Sequence, residues 1–329
     1  MTTDVSRRAA LCAALSATSS WSWAAAAGAV SPTWPTQPLK IMVGFPGGSS
    51  PDLVARALAE PLSRALGQPV VIDNRAGAAG NIAAQAVAQA TDQHTIGLMI
   101  NGNLTIAKLL NPKTGYNPVT DLKPISLIAT APLVLAAPIS QKGTPQEVLQ
   151  AARLAGNRWN YGSPGMGTVS HIGMELLKAR ARIDPVHIPY PGNPQVITAM
   201  LSGDLQLALL PPGLAAAQIR AGKLRAIGIT SAGRSTLVPD VPSLAEIGVP
   251  NFELEIWDAV AAPASMPQPI AARLSMLIGE IVRTPDMRAK LFQQGWQVVG
   301  STAEGLALRM KNDTATLGGV ITARGIKVE

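Results

Sequence analysis

The sequence predicts an α/β protein built as two lobes. Three observations carry that reading. Short apolar runs alternate with helical patterns along the chain, as in βαβ units. About 300 residues remain once an N-terminal leader is set aside, more than one ordinary core holds. One local pattern, a strand, a glycine-bearing turn and a helix start, occurs twice, at 39–66 and 159–181.

The leader is residues 1–29. Arg7-Arg8 precede a short apolar stretch and a small-residue exit at 24–29, which together make a secretory signal that is removed on export to the periplasm by Sec or Tat. Cys12, the only cysteine, lies inside it, so the mature chain is expected to have no disulfide and no thiol chemistry. No later run approaches the ~20 apolar residues of a membrane span.

The first lobe opens with the apolar run Leu39–Val43, a buried strand. It breaks at Pro46-Gly47-Gly48. Val54, Ala57, Leu58, Leu62, Ala65 and Leu66 then recur on one face of a helix. Ser50 before Pro51 fits an N-cap, and Ser49 with Asp52 alternatively fits a capping box. Unpaired N–H groups at such a start bind anions. The turn lacks the Gly-Lys-Ser/Thr ending of a P-loop and carries no GxGxxG, so a carboxylate is a better guest than a nucleotide.

Further along, 68–72 reads as a strand, 73–80 as a second glycine-bearing turn, 81–90 as a helix and 95–100 as a strand ending at Asn101-Gly102-Asn103. The sheets are expected to be mostly parallel. Ile125–Ala137 is long enough to cross from one lobe to the other. A helix at 144–154 and a strand at 159–161 lead into Gly162-Ser163-Pro164-Gly165-Met166-Gly167-Thr168 and another helix start near His171. Strands at 186–190 and 205–210 and helices at 195–201 and 215–221 follow. Leu224–Thr230 reads as the return crossing, and helices close the chain near 267–283, 285–294 and 302–316. Lobe 1 is thus expected from 30–130 plus 229–329, and lobe 2 from 131–228. The two glycine turns would face each other across a cleft.

The net charge of +7 suits an anionic solute, but it is thinly spread and aromatics make up only 4% of the chain, so a nucleic-acid interface is not expected. His94, His171 and His187 are the only histidines, and none has a second His or a Cys at metal spacing. Ser163 lacks the first glycine of a nucleophile elbow. A Ser163–His171 pair is conceivable, with no carboxylate placed to orient it. No catalytic residue, cofactor or metal is therefore assigned.

Taken in register, the motifs Phe45-Pro46-Gly47-Gly48 with Asp52 and Arg56, Asn74-Arg75 with Gly77 and Gly80, Tyr161-Gly162-Ser163 with Gly165, Gly167, Thr168 and His171, Pro189-Tyr190, Pro239-Asp240-Val241-Pro242 and Ala262-Pro263 resemble one family. It is the periplasmic solute-binding proteins of tripartite tricarboxylate transporters, the Bug-type receptors. The resemblance implies a type II periplasmic-binding-protein fold, with mixed sheets, flanking helices and two crossing hinge strands. It implies a monomeric receptor, not an enzyme, that delivers a tri-, di- or aromatic carboxylate to membrane permease subunits. Carried over residue by residue, the ligand would meet Pro46, Gly47, Gly48, Ser49, Ser50 and Asp52 from one lobe and Ser163, Gly165, Gly167, Thr168 and His171 from the other. Asn101 and Asn103 would line the cleft. A sensor subunit signalling to a membrane kinase is the alternative, and a secreted hydrolase a more distant one. Gln206 and Leu210 stand where the family has acids, which makes a ligand amine less expected. Pro191 stands where it has Lys.

Overall fold

The computed structural model describes residues 34–236 and 238–326. The expected leader, with Cys12, lies outside the described residues. The first sheet begins with β1 (Leu39–Val43), nearly continuously buried as a central strand is. In α1 (Ser50–Leu66), Val54, Ala57, Leu58, Leu62 and Leu66 are buried, as the periodicity requires, while Ala65 in the last turn is exposed. Gly67 ends the helix in the left-handed region, φ 69°, with its N–H bonded to the Ser63 carbonyl. β2 (Val70–Asn74), α2 (Asn81–Ala88) and β3 (Thr95–Ile100) follow, with β1 parallel to both strands. Two short helices, α3 (Asn101–Thr105) and α4 (Ala107–Leu110), occupy the stretch after the β3 strand end.

β4 (Leu122–Pro132) leaves the first sheet at Pro132, and β5 (Val134–Pro138) enters the second after Leu133. The long run at 125–137 therefore does cross between the sheets. The second lobe continues through α5 (Pro145–Ala155), started by a Thr144–Glu147 capping box, β6 (Asn160–Ser163), α6 (Val169–Ala181) and β7 (Val186–Pro189). It ends with α7 (Asn193–Ser202), β8 (Leu207–Leu210), α8 (Pro212–Arg220) and β9 (Leu224–Ile229). Among the described residues this sheet has five strands, in the order β7-β6-β8-β5-β9.

The return crossing is later than 224–230. β9 pairs with β5 and stays in the second sheet. The chain then buries Leu244, Ile247, Val249 and Phe252 in the core of that lobe. Only β10 (Glu255–Pro263) re-enters the first sheet, between β4 and β3. Thr230 ties the two crossings together. Its backbone N–H donates to Leu133 O (2.9 Å) and its carbonyl accepts from Leu254 N (3.0 Å). Its hydroxyl accepts from Leu133 N (2.8 Å) and donates to Leu254 O (2.6 Å).

α9 (Gln268–Arg283), α10 (Pro285–Gln293), β11 (Gln297–Val298) and α11 (Ala303–Arg324) complete the fold. The six-stranded first sheet has the order β11-β4-β10-β3-β1-β2. α11 spans both lobes: Leu306 and Met310 pack with first-sheet residues, Leu317 and Ile321 with the second lobe. The sheets are mixed rather than mostly parallel. Strands that cross out and back must enter each sheet running against their neighbours, and β4, β5, β9, β10 and β11 all pair antiparallel.

Candidate ligand-binding cleft

The two glycine turns face each other, because β1 and β6 end on opposite sides of one cleft. The lobes are closed on each other in this structure. A Cβ placed on Gly192 would lie 2.8 Å from Ser49 Oγ and 2.9 Å from Pro46 Cδ, across the cleft. One on Gly102 would lie 2.7 Å from Gly167 O, and one on Gly165 would lie 3.1 Å from Ala79 Cβ. Small residues at these points let backbone meet backbone.

Each turn is held by its own network. Asp52 Oδ2 accepts from Gly48 N and Arg56 Nε, both at 2.9 Å, and Oδ1 accepts from Asn74 Nδ2 at 2.9 Å. Burial alone would raise the Asp52 acid, but the bonds from Arg56, Gly48 and Asn74 outweigh it and hold the carboxyl below its ordinary value. The helix N-cap is Ser49 rather than Ser50, and it makes no side-chain cap bond. Asp52, taken up by Gly48, Arg56 and Asn74, does not complete a capping box. In the opposite turn Thr168 caps α6, accepting from His171 N (3.4 Å) while donating to Gly165 O (2.8 Å). His171 Nδ1 accepts from Gly167 N at 3.2 Å. Asn103 braces a third turn, donating to Ala79 O and Asn81 Oδ1, each at 2.9 Å.

Ser163 pairs with His187, not with His171: Ser163 Oγ lies 2.7 Å from His187 Nε2, and the two imidazoles stack at 4.3 Å. Burial, with His171 and Lys178 nearby, pushes the His187 imidazole down to about 3, so it stays neutral. Ser163 is fully buried and outside both cavities of the cleft. The hydrogen bonds of Asp52, His171 and Ser163 in this conformation are those of turn braces.

Two cavities lie between the lobes. The outer one, about 450 Å³, is walled by Ala78, Ala79 and Asn103 on one side and Gly165, Gly167 and Tyr190 on the other. The inner one is small, about 30 Å³, and is enclosed by the starts of α1 (Ser50, Pro51), α6 (Thr168, Val169, Ser170) and α7 (Asn193) together with Asn101, Asp258 and Trp296. Among the described residues no lysine or arginine lines either cavity. Positive potential there comes instead from helix starts, whose first N–H groups have no partner within the helix. Of the predicted residues, Ser50, Asn101 and Thr168 line the inner cavity and Asn103, Gly165 and Gly167 the outer one; Gly47 and Gly48 are exposed.

The sequence reading missed Asp258, Asn193, Ser170 and Trp296. Asp258 is 1% exposed, and its Oδ2 is among six buried polar atoms without a hydrogen-bond partner among the described residues. Asn101 Oδ1 and Asn193 Oδ1, also on the inner cavity, are two others. Burial pushes the Asp258 acid well above the carboxylate range. A lone acid inside the apolar run 256–262 was the available signal.

Residues 54–326 match the family described as "Tripartite tricarboxylate transporter family receptor". The chain is 34% identical over 284 residues to the UPF0065 protein of the tcbD-tcbE intergenic region of Pseudomonas sp. (strain P51), covering 85% of this chain and 84% of that one. Its fold is similar to MatC from Rhodopseudomonas palustris with bound malate, with a TM-score of 0.83, 29% identity, and 88% of this chain and 100% of that one covered. It is also similar to an R. palustris protein with adipate, with a TM-score of 0.86, 28% identity, and 89% and 99% covered.

Proposed function

The chain belongs to the tripartite tricarboxylate transporter receptor family, and on that premise we propose that it is an exported receptor that captures a small carboxylate between its lobes and presents it to membrane permease subunits. The observation that carries this is the inner cavity. Three helix starts converge on a buried chamber with no lysine or arginine in its wall, which is how a fold binds an anion through backbone amides. The malate and adipate bound by two structural relatives support a carboxylate guest.

Ser50, Thr168 and the amides of α1 and α6 hold the carboxylate in this reading. Contacts from both lobes exist together only when the cleft is shut, so the ligand shifts an open–closed equilibrium about the crossings at Leu133 and Leu254. Each charge-assisted N–H bond to a carboxylate contributes about 1.5–3 kcal/mol, and a few of them reach micromolar affinity. The site binds without reacting, since Ser163, His171 and His187 are spent on holding the turn. No described helix is long and apolar enough to cross a membrane.

A thermal-shift screen against mono-, di-, tri- and aromatic carboxylates tests the reading, because a ligand bound to the native state raises the melting temperature. Alanine at Ser50 and Thr168 together is expected to abolish the shift while the unliganded protein still melts cooperatively. A full-sized shift in that double variant would refute the assignment.

A further inference from the structure

The unpaired atoms of the inner cavity say what else the solute carries. Asn101 donates through Nδ2 to Glu255 O at 3.1 Å, which fixes the amide and leaves Oδ1 as a bare acceptor on the cavity. Asp258 lines the same cavity, and its Oδ2 is buried without a partner among the described residues. It sits on β10 with Ile100, the last residue of β3, as its partner across the β10–β3 pairing, and Asn101 follows at the start of α3. Two residues of the first lobe that line one small cavity thus each keep an unpaired buried oxygen, and helix starts from both lobes line the same cavity. No donor side chain answers either atom. Among the described residues no Lys, Arg, His or second acid lines the cavity, so Asp258 is the one titratable group among them there.

Resting on the carboxylate reading above, we propose that the solute also carries a compact ammonium group, which donates to Asp258 and Asn101 while its carboxylate takes the amides of α1 and α6. An ammonium has N–H donors to spare for two oxygens and no acceptor to conflict with them. A hydroxyl has a single O–H and would satisfy only one of the two oxygens. A second ligand carboxylate would bring no donor for Asn101 Oδ1 and, against an ionised Asp258, would set like charges together. Burial pushes the Asp258 acid well above the carboxylate range, and an ammonium against it favours the ionised form. Phe45 and Trp296 supply aromatic wall to the same cavity, a surface that tolerates a cation. The acids absent at Gln206 and Leu210 on the second lobe are thereby replaced, in function, by one from the first.

The test is isothermal titration of the wild-type protein and Asp258→Asn with matched pairs: aspartate against succinate, glutamate against glutarate, 4-aminobutanoate against butanoate, and alanine against propanoate, with malate and adipate added. The expected result is that the amino member of at least one pair binds wild type at least about tenfold more tightly than its partner and than malate and adipate, the least that a charge-assisted hydrogen bond supplies. In Asp258→Asn, which is isosteric, the preference should fall away, leaving weaker carboxylate binding. If succinate, malate or adipate binds wild type as tightly as any amino compound, the ammonium proposal is overturned and the carboxylate receptor stands. If no compound of either set binds, both readings fail. Should Asp258→Asn not fold, the wild-type preference alone decides, and a preference undiminished in a folded Asp258→Asn overturns the role of Asp258.

Discussion

Closure of the cleft depends on Gly192, and the dependence can be worked out from geometry. Gly192 is the N-cap of α7, with φ −174° and ψ 174°, an extended conformation that alanine adopts freely. In Gly192→Ala the new methyl would lie 2.8 Å from Ser49 Oγ and 2.9 Å from Pro46 Cδ on the opposite lobe, and 3.3 Å from Gln195 Oε1. Non-bonded carbons settle at about 3.5–4.0 Å, so the two loops must part by roughly 0.6–1 Å in the closed state. Ser49 Oγ can rotate away, but Pro46 Cδ belongs to a rigid ring. Overpacking of this kind costs about 1–3 kcal/mol, and ligand affinity should weaken roughly 5- to 150-fold.

The unliganded protein should hardly notice. An N-cap alanine without a capping hydroxyl loses about 0.5–1 kcal/mol against glycine, and the stiffer unfolded chain returns about 0.4–1 kcal/mol. The assay is calorimetric Kd together with the melting temperature without ligand. Gly319→Ala, in α11 with nothing within 4 Å of the added Cβ, serves as the control. A Kd for Gly192→Ala within twofold of wild type would refute closure at this contact. A fall in melting temperature as large as the loss of affinity would mean that the glycine serves folding instead.

Thr230→Val should lower the melting temperature by several degrees in calorimetry, because it leaves both Leu133 N–H and Leu254 C=O without the hydroxyl that now bonds them; no change would show that the crossings do not need it. His187, held at about 3 against an ordinary 6.5, takes up a proton in the unfolded chain first. Its contribution is therefore whole above about pH 6.5 and lost as pH falls toward 3, and urea titrations of His187→Gln should show a flatter slope in that window. Asp52, held below its ordinary 3.8, contributes above that value and loses its contribution as pH falls through the lower folded one, so Asp52→Asn should flatten only the limb below about pH 4. Asp258 is raised instead: its contribution is present below the unfolded value and gone once pH passes the folded one. Asp258→Asn should accordingly raise the unliganded melting temperature at pH 7 and leave it unchanged near pH 3.5, and a gain of the same size at both would sever the effect from ionisation.

What the sequence shows of this molecule divides by range. The turns at 46–50 and 163–168 were legible because a strand, a glycine turn and a capped helix are written in consecutive residues, and the structure does set both turns on one cleft. Leu224–Thr230 and Phe252–Trp257 have the same strand-like composition, and only pairing between distant residues decides which of them crosses back. The choice falls on the second because Thr230 closes β9 into the second lobe and Leu254 bonds to it. The same range limit hid the chemistry of the cavity. Asp52 and His171 stand in the motifs, and local bonds already occupy them. Asp258 stands in no motif; its meaning depends on Asn101 and on the start of α1, each more than a hundred residues away in sequence, and on the starts of α6 and α7 in the other lobe. A polar group placed in an otherwise well-satisfied core, with no partner in its own lobe, is a local inconsistency that folding alone does not reward. Such residues mark where a protein gives up stability to bind something, and Asp258 is the acid on which that trade can be measured.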